Sequence, residues 1–300
     1  MNLKGEGIYL INKPRGRSSF SVVAQVRRES GIKKVGHAGT LDPDATGVLL
    51  VGVGGATRLV RFLTDLGKTY TAEIVFGTAT DTLDASGTVT ATHDMSGLTL
   101  GRVRAEVAAH LVGDIMQVPP MVSALKVDGR RLHELAREGI EVERAARPVT
   151  VGRFDVEPTA DPLVVAVEVV CTKGTYIRSL ADDLGRLCGG AAHLRTLRRT
   201  AVGRFTVDVA RSPDEVELIA LADAMDDYPQ VQVDEATAAM VRKGRVLRRD
   251  LPSGLLAGAF TGDGPWAVTG PDGDLLAMYE PHRESDRKST RLNSSHVALS

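Results

Sequence analysis

The chain has 300 residues, 43% apolar and 25% charged, with a net charge of −1, which suits a globular protein with a sizeable core and excludes an indiscriminate polyanion binder. No run of about 18 apolar residues is present to span a membrane, and residues 1–7 lack the apolar core of a signal peptide, so the cytoplasm is the expected compartment. Two cysteines, Cys171 and Cys188, are too few for a disulfide framework and lack metal-ligand spacing, so they read as reduced core thiols.

Residues 7–11 read as a strand, stopped by Asn12-Lys13-Pro14. Lys13-Pro14-Arg15-Gly16-Arg17 is a basic turn, and Ser18 or Ser19 caps a helix running to about Glu29. Gly36-His37-Ala38-Gly39-Thr40-Leu41-Asp42-Pro43-Asp44-Ala45-Thr46-Gly47 follows neither the strand nor the helix period. Its glycines and proline predict a tightly folded loop, which feeds directly into an apolar strand over 48–53. A rigid polar loop anchored to core is suited to fixing a reactive side chain, and His37, Asp42 and Asp44 are its candidates.

Gly54-Gly55-Ala56-Thr57 opens a helix with apolar Leu59, Val60, Phe62 and Leu63. The spacing of Gly52, Gly54 and Gly55 is a fragment of a dinucleotide fingerprint without its third glycine or acidic residue, and reads as strand-to-helix packing. Residues 68–76 alternate as a strand with one wet face, and 81–87 form a polar turn whose two aspartates are too few for a metal loop. An amphipathic helix is expected over 99–111, a strand over 122–130 ending in Asp128-Gly129, and a helix over 131–137 closed by Gly139. Paired strands over 148–156 and 163–171 deliver a second loop-to-helix junction, Lys173-Gly174-Thr175-Tyr176-Ile177-Arg178, with helix over 180–187. Residues 194–204 are strongly basic with apolar interleaving.

Asp226-Asp227-Tyr228-Pro229 marks a linker. Beyond it come a helix-turn unit over 233–246 and short strands over 255–260, 266–269 and 275–279, a small β-rich module. Asp286-Arg287-Lys288-Ser289-Thr290-Arg291-Leu292-Asn293-Ser294-Ser295-His296 resembles a translated short-read sequencing adapter, with residues 297–300 as its index. Residues 286–300 are therefore expected to be disordered and foreign to the fold.

Each candidate has a bland reading beside the chemical one. Asp42 is either an Asx-turn residue before Pro43 or a reactive carboxylate with the ordinary pKa of about 3.9. Tyr70 and Tyr176 either pack in the core or offer an aromatic face to a base flipped from RNA. Arg178 either starts a helix in solvent or orients a carboxylate. His37 either satisfies backbone groups or contacts a ligand, and with no second His or Cys nearby it is a poor metal ligand. Arg195, Arg198, Arg199 and Arg204 form one basic cluster, and Arg242, Lys243, Arg245, Arg248 and Arg249 another. The expectation is that both track RNA phosphates.

The loop at 36–47 resembles the signature loop of the bacterial TruB family of tRNA pseudouridine synthases. Lys13-Pro14-Arg15-Gly16, Lys68-Thr69-Tyr70, the turn at 81–87, Ser123-Ala124-Leu125-Lys126, the junction at 173–178 and Leu197-Arg198-Arg199 are similar to further motifs of that family, in the same order. The resemblance covers about residues 7–205, and the last module looks like the family's actinobacterial C-terminal domain. It implies a pseudouridine synthase fold: a mixed, largely antiparallel sheet with flanking helices (α+β) over residues 1–228, then a PUA-like RNA-binding module over 229–285.

It also implies that Asp42 is the nucleophile acting on uridine 55 in the tRNA T-loop. It makes Tyr70 the base-stacking residue and a proton shuttle, and His37, Tyr176 and Leu197 the residues lining the nucleotide site. Arg178 should pair with Asp42, Asp84 should join the polar network, and Lys13 and Lys126 should be structural or RNA-facing. No cofactor, metal or obligate protein partner is implied, and the T-arm of tRNA is the expected partner of a monomer. Asp42 has three routes open: attack on C1′, removal of a C2′ proton, or addition at base C6. The alternatives are a guide-RNA-dependent or other-RNA synthase and a catalytically silent tRNA-binding or chaperone protein.

Overall fold

The computed structural model describes residues 5–123, 125–127, 129–140, 142–245, 247–248, 260–281 and 291–296. In chain order, β1 (Gly7–Lys13) leads through helix α1 (Ser19–Ser30) to β2 (Val35–His37) and β3 (Thr46–Val53). A 3-10 turn at Gly54–Arg58 and helix α2 (Val60–Asp65) return the chain to β4 (Lys68–Phe76). The hairpin β5 (Thr78–Thr80) and β6 (Val89–Thr92) precedes helix α3 (Leu100–His110) and the edge strand β7 (Gly113–Gln117). Next come the short pair β8 (Lys126–Val127) and β9 (Arg130–Arg131) and helix α4 (Leu132–Arg137). The long hairpin β10 (Arg147–Pro158) and β11 (Val164–Cys171), helix α5 (Ile177–Leu187) and β12 (Ala192–Val202) follow. β13 (Phe205–Thr206), β14 (Leu218–Ile219) and helix α6 (Leu221–Ala224) complete the body.

The main sheet runs β14-β1-β3-β12-β4-β11-β10-β7, with β13 added beside β12 and β2 beside β3. Its pairings are antiparallel except that of β3 with β12. The expected mixed, largely antiparallel sheet with flanking helices is the fold observed. Period-two alternation on β4 buries Lys68, Tyr70, Ala72, Ile74 and Phe76 on one face. Helix α5 repeats apolar residues every three or four positions, and Ile177, Leu180, Ala181 and Leu184 pack with Tyr70, Ile74 and Val167. Each of the three large aliphatic side chains stabilises the contact by about 1.5–3 kcal/mol, and a charge at Leu184 would break it. Helix α1 starts where Ser18 Oγ accepts from Ser21 N at 3.1 Å and stops at left-handed Gly31; its Val22, Val23 and Val26 cover β1 and β3 with Tyr9, Leu49 and Val51.

Three sequence expectations change. The strand expected over 122–130 is only the two-residue pair β8 and β9, preceded by a turn in which Ser123 N donates to Met121 O. The basic segment 194–204 lies largely within β12, a central strand of the sheet. Bulges between Leu194 and Thr196 and between Arg199 and Ala201 break its alternation, which hides the strand period from the sequence. The third change concerns the tail.

Past the linker, β15 (Gln230–Gln232), helix α7 (Glu235–Arg242), β16 (Leu247–Arg248), β17 (Trp266–Thr269), β18 (Leu275–Pro281) and β19 (Arg291–His296) build a second sheet in the order β15-β17-β18-β19-β16. The expected strand over 255–260 lies outside the described residues except for Phe260, which packs edge-on against buried Trp266. Residues Arg291–His296 are extended along β18, so the disorder expected for 286–300 does not hold for them. The free N–H and C=O groups of β18 template an extended neighbour whatever its side chains. The module abuts the body: Ala267, Leu275 and Met278 join the core around Phe62 and Leu63, and Tyr228 Oη donates to Phe62 O at 2.8 Å.

Candidate active site

The loop between β2 and β3 is pinned along its backbone. Ala38 N donates to Leu50 O, and the Arg199 guanidinium donates to Gly39 O at 3.1 Å. Ser19 Oγ holds Leu41 at both ends, accepting from its N–H at 2.8 Å and donating to its C=O at 3.1 Å. Pro43 O accepts from Lys13 Nζ at 3.0 Å and from Gly16 N at 2.9 Å. Asp42 thus projects from a frame fastened on either side of it.

Lys13 is wholly buried, its ammonium surrounded by the carbonyls of Pro14, Arg17 and Pro43, and burial pulls its pKa down to about 8. Gly47 closes the loop at φ +104°, and a Cβ there would stand 2.1 Å from Arg199 O. Only glycine lets β12 approach β3 at that register.

Asp42 Oδ2 lies 3.1 Å from Arg178 Nη2, and Asp84 Oδ2 lies 3.6 Å from Arg178 Nε. Arg178 is fixed further by donating from Nη1 to Thr82 O at 3.0 Å and from Nη2 to Val122 O at 2.8 Å. Removal from bulk water pushes the Asp42 pKa up, and the Arg178 charge pulls against it. The carboxyl is therefore not the unperturbed one the sequence suggests; desolvation prevails over the guanidinium. Asp84 is anchored by Thr82 Oγ1 at 2.7 Å, Ser86 N at 3.0 Å and Ser86 Oγ at 2.5 Å. Asp44 pairs with exposed Arg15 at 3.4 Å, and both border the larger of the two cavities beside Asp42.

Asp42, Arg178 and Leu197 line both of two adjoining cavities. The larger, about 810 Å3, extends past Thr46, Asp84, Arg195 and Arg198. The smaller, about 370 Å3, extends past Tyr70, Tyr176, Lys68 and Arg199. A carboxylate on the partition faces a large open cleft on one side and an aromatic recess on the other. Tyr176 caps α5, and its backbone is clasped by Gln117, which accepts from Tyr176 N at 2.8 Å and donates to Tyr176 O at 3.1 Å.

His37 stands on β2 and lines neither of these cavities. Its Nδ1 is buried without a partner among the described residues, and burial together with Arg199 lowers its pKa. Lys126 falls on β8, and its side chain is outside the described residues.

The first basic cluster does not form one patch. Arg195 pairs with Glu73 at 3.0 Å and Arg204 with Asp226, while Arg199 is 1% exposed. Arg198 and Arg199 are neighbours on a strand, so they face opposite sides and cannot both reach RNA. Arg198 borders the larger cavity and Arg199 turns inward, which corrects its assignment as an RNA-backbone contact. In the second cluster Arg242 pairs with Glu235 at 2.6 Å, and Arg249 lies outside the described residues. Ser19 and Gln117 were missed by sequence reasoning: Ser19 reads only as a helix cap, and Gln117 carries no local signal.

Residues 27–177 match the family described as "TruB family pseudouridylate synthase (N terminal domain)", and residues 178–243 match "tRNA pseudouridylate synthase B C-terminal domain". A tRNA pseudouridine synthase B of Arthrobacter sp. is 44% identical over 282 residues, covering 91% of this chain and 92% of its own. That of Rhodococcus jostii is 46% identical over 288 residues, with 93% and 91% covered.

The chain belongs to the TruB family.

A solved Cbf5–Nop10–Gar1 complex contains a chain that matches with TM-score 0.71 at 25% identity, covering 96% of this chain and 83% of that one. The higher identity and reciprocal coverage of the bacterial relatives set the TruB assignment apart from the guide-RNA-dependent alternative. The boundary between the two TruB family regions falls inside α5, so it divides sequence families and not the sheet, which continues through β12.

Proposed function

We propose that this TruB-family chain isomerises uridine 55 in the T-loop of tRNA to pseudouridine, with Asp42 as the nucleophile. The observation that carries the reading is the Asp42–Arg178 pair on the partition between an open cleft and an aromatic recess. A flipped uridine brings its ribose to the carboxylate and its uracil into the recess, where Tyr70 stacks and Tyr176 and Leu197 border the ring. Arg178 keeps Asp42 anionic and aimed, and Asp84 holds the far edge of the same guanidinium. Arg198 takes a phosphate in the open cleft, while His37, on β2 outside both cavities, meets the nucleotide only if the RNA extends beyond them.

The reaction breaks C1′–N1 and joins C1′ to C5, so no atom is gained or lost. The hydrogen on C5 leaves as a proton and N1 takes one up, which the Tyr70 hydroxyl can relay. Residues 1–228 form the catalytic body and 229–285 a PUA-like module that grips the T-arm. The chain acts as a monomer in the cytoplasm without an obligate protein partner.

Because C5 loses its hydrogen, tRNA tritiated at uridine C5 reports turnover directly. Asp42→Asn should abolish tritium release while still binding tRNA. Release at the wild-type rate from that variant would remove Asp42 as nucleophile.

A further inference from the structure

Arg199 is one of the largest wholly buried side chains among the described residues, yet the partners it binds on the loop and on β3 are uncharged. Its Nε donates to Val48 O at 2.7 Å and its Nη2 to Gly39 O at 3.1 Å. The guanidinium also depresses the pKa of Lys68, His37 and Lys13, so it sits among like charges. Burying a cation in such company is costly, and for stability alone an apolar side chain of similar volume would serve as well or better. Its position needs another reason.

Sheet register supplies one. Arg199 on β12 is directly opposite Gly47 on β3 and directly opposite Tyr70 on β4, and Tyr70 is opposite Val169 on β11. Opposed residues on paired strands project to the same face. Gly47 contributes no side chain, and Arg199 and Tyr70 border the same recess, where burial pushes the phenol pKa up and the guanidinium pulls it down. One planar group therefore ties the loop that carries Asp42 to the strand that follows it, on the sheet face that also carries the phenol of the recess.

We propose that Arg199 is a positioning residue for the isomerisation: locked between Gly39 O and Val48 O, its guanidinium fixes the Tyr70 hydroxyl relative to the Asp42 loop. The inference rests on the reading that Tyr70 meets the base. A fork has directional donors for loop, strand and phenol at once, whereas an ammonium at the same site has the charge without the geometry.

The test is a double-mutant cycle on steady-state tritium release, read as kcat at saturating tRNA and as KM, with Arg199→Lys, Tyr70→Phe and the double variant. Arg199→Lys should lower the rate about tenfold or more with KM changed less than about twofold. In the Tyr70→Phe background the same substitution should change the rate less than about twofold, because the hydroxyl it positions is gone. A full additional loss in that background, or an effect confined to KM, overturns the proposal and leaves Arg199 a structural clamp. Tyr70→Phe with a wild-type rate instead overturns the underlying reading of Tyr70. If Arg199→Lys gives no cooperative thermal transition, Arg199→Gln, which keeps two donors, takes its place in the cycle with the same outcomes.

Discussion

Arg178 and Asp42 meet at 3.1 Å, but the cation side chain is 4% exposed and the anion 42%. The guanidinium belongs to the interior, held by backbone carbonyls of two other segments, and the carboxylate fronts the cleft. The pair is thus a fixed donor orienting a carboxylate that faces the cleft, not a surface salt bridge of the kind that contributes little.

Arg178→Met removes the charge that opposes desolvation at Asp42, so the carboxyl should titrate higher still. The acid limb of the pH–rate profile for tritium release should move to higher pH, and the rate at neutral pH should fall by about 100-fold. An unmoved acid limb would show that another group governs it.

Asp42 also carries a stability signature. Its folded pKa is raised above the ordinary value of 3.8, so the folded chain holds that proton more tightly than the unfolded one. The ionised form therefore costs stability above the folded pKa, and the cost is absent below the unfolded one. Asp42→Asn should unfold in urea at pH 7 with a midpoint no lower than wild type, and the difference should close as pH falls to about 4. A less stable variant at pH 7 would mean that the Arg178 attraction outweighs burial.

Gly47→Ala should cost about 3 kcal/mol or more in denaturant unfolding, because a Cβ meets Arg199 O at 2.1 Å and φ is +104°. A variant that unfolds like wild type would show that β3 and β12 can separate without loss.

Lys13→Met leaves the carbonyls of Pro14, Arg17 and Pro43 without their shared donor. The expected loss is about 2–4 kcal/mol in urea unfolding, with a fall in kcat as Pro43 is released beside Asp42. Unchanged stability would show that the three carbonyls do not depend on the Lys13 ammonium.

Arg198→Glu should raise KM for tRNA and flatten its dependence on salt while leaving the unfolding midpoint near wild type. An unchanged KM would make Arg198 a solvated side chain. Arg199 makes no such prediction, since it is 1% exposed.

The loop, the strand after it and the helix before it were legible because their signals are local. Glycine and proline mark the turn, Ser18 marks the cap, and the apolar run marks β3. The Arg178–Asp42 contact followed from the family order of motifs, since nothing local to either residue encodes it. Two features were hidden for physical reasons. Bulges scramble the period of β12, and the opposite facing of Arg198 and Arg199 depends on that strand being recognised. Gln117 acts through the backbone of Tyr176, a contact between segments that no nearby residue announces.

The tie between β3 and β12 also has a temporal meaning. Val48 is separated from Arg199 by 151 residues and Gly39 by 160. At roughly 5–20 residues per second, the ribosome makes the Asp42 loop roughly 8–32 s before the arginine that clasps it. Through that interval Gly47 faces an empty lane in the sheet, and the recess has neither its guanidinium nor Leu197. A nascent chain halted in α5 would carry Asp42, Tyr70 and Arg178 without the β12 residues that complete the recess, so the cleft closes around Asp42 in one late step of synthesis.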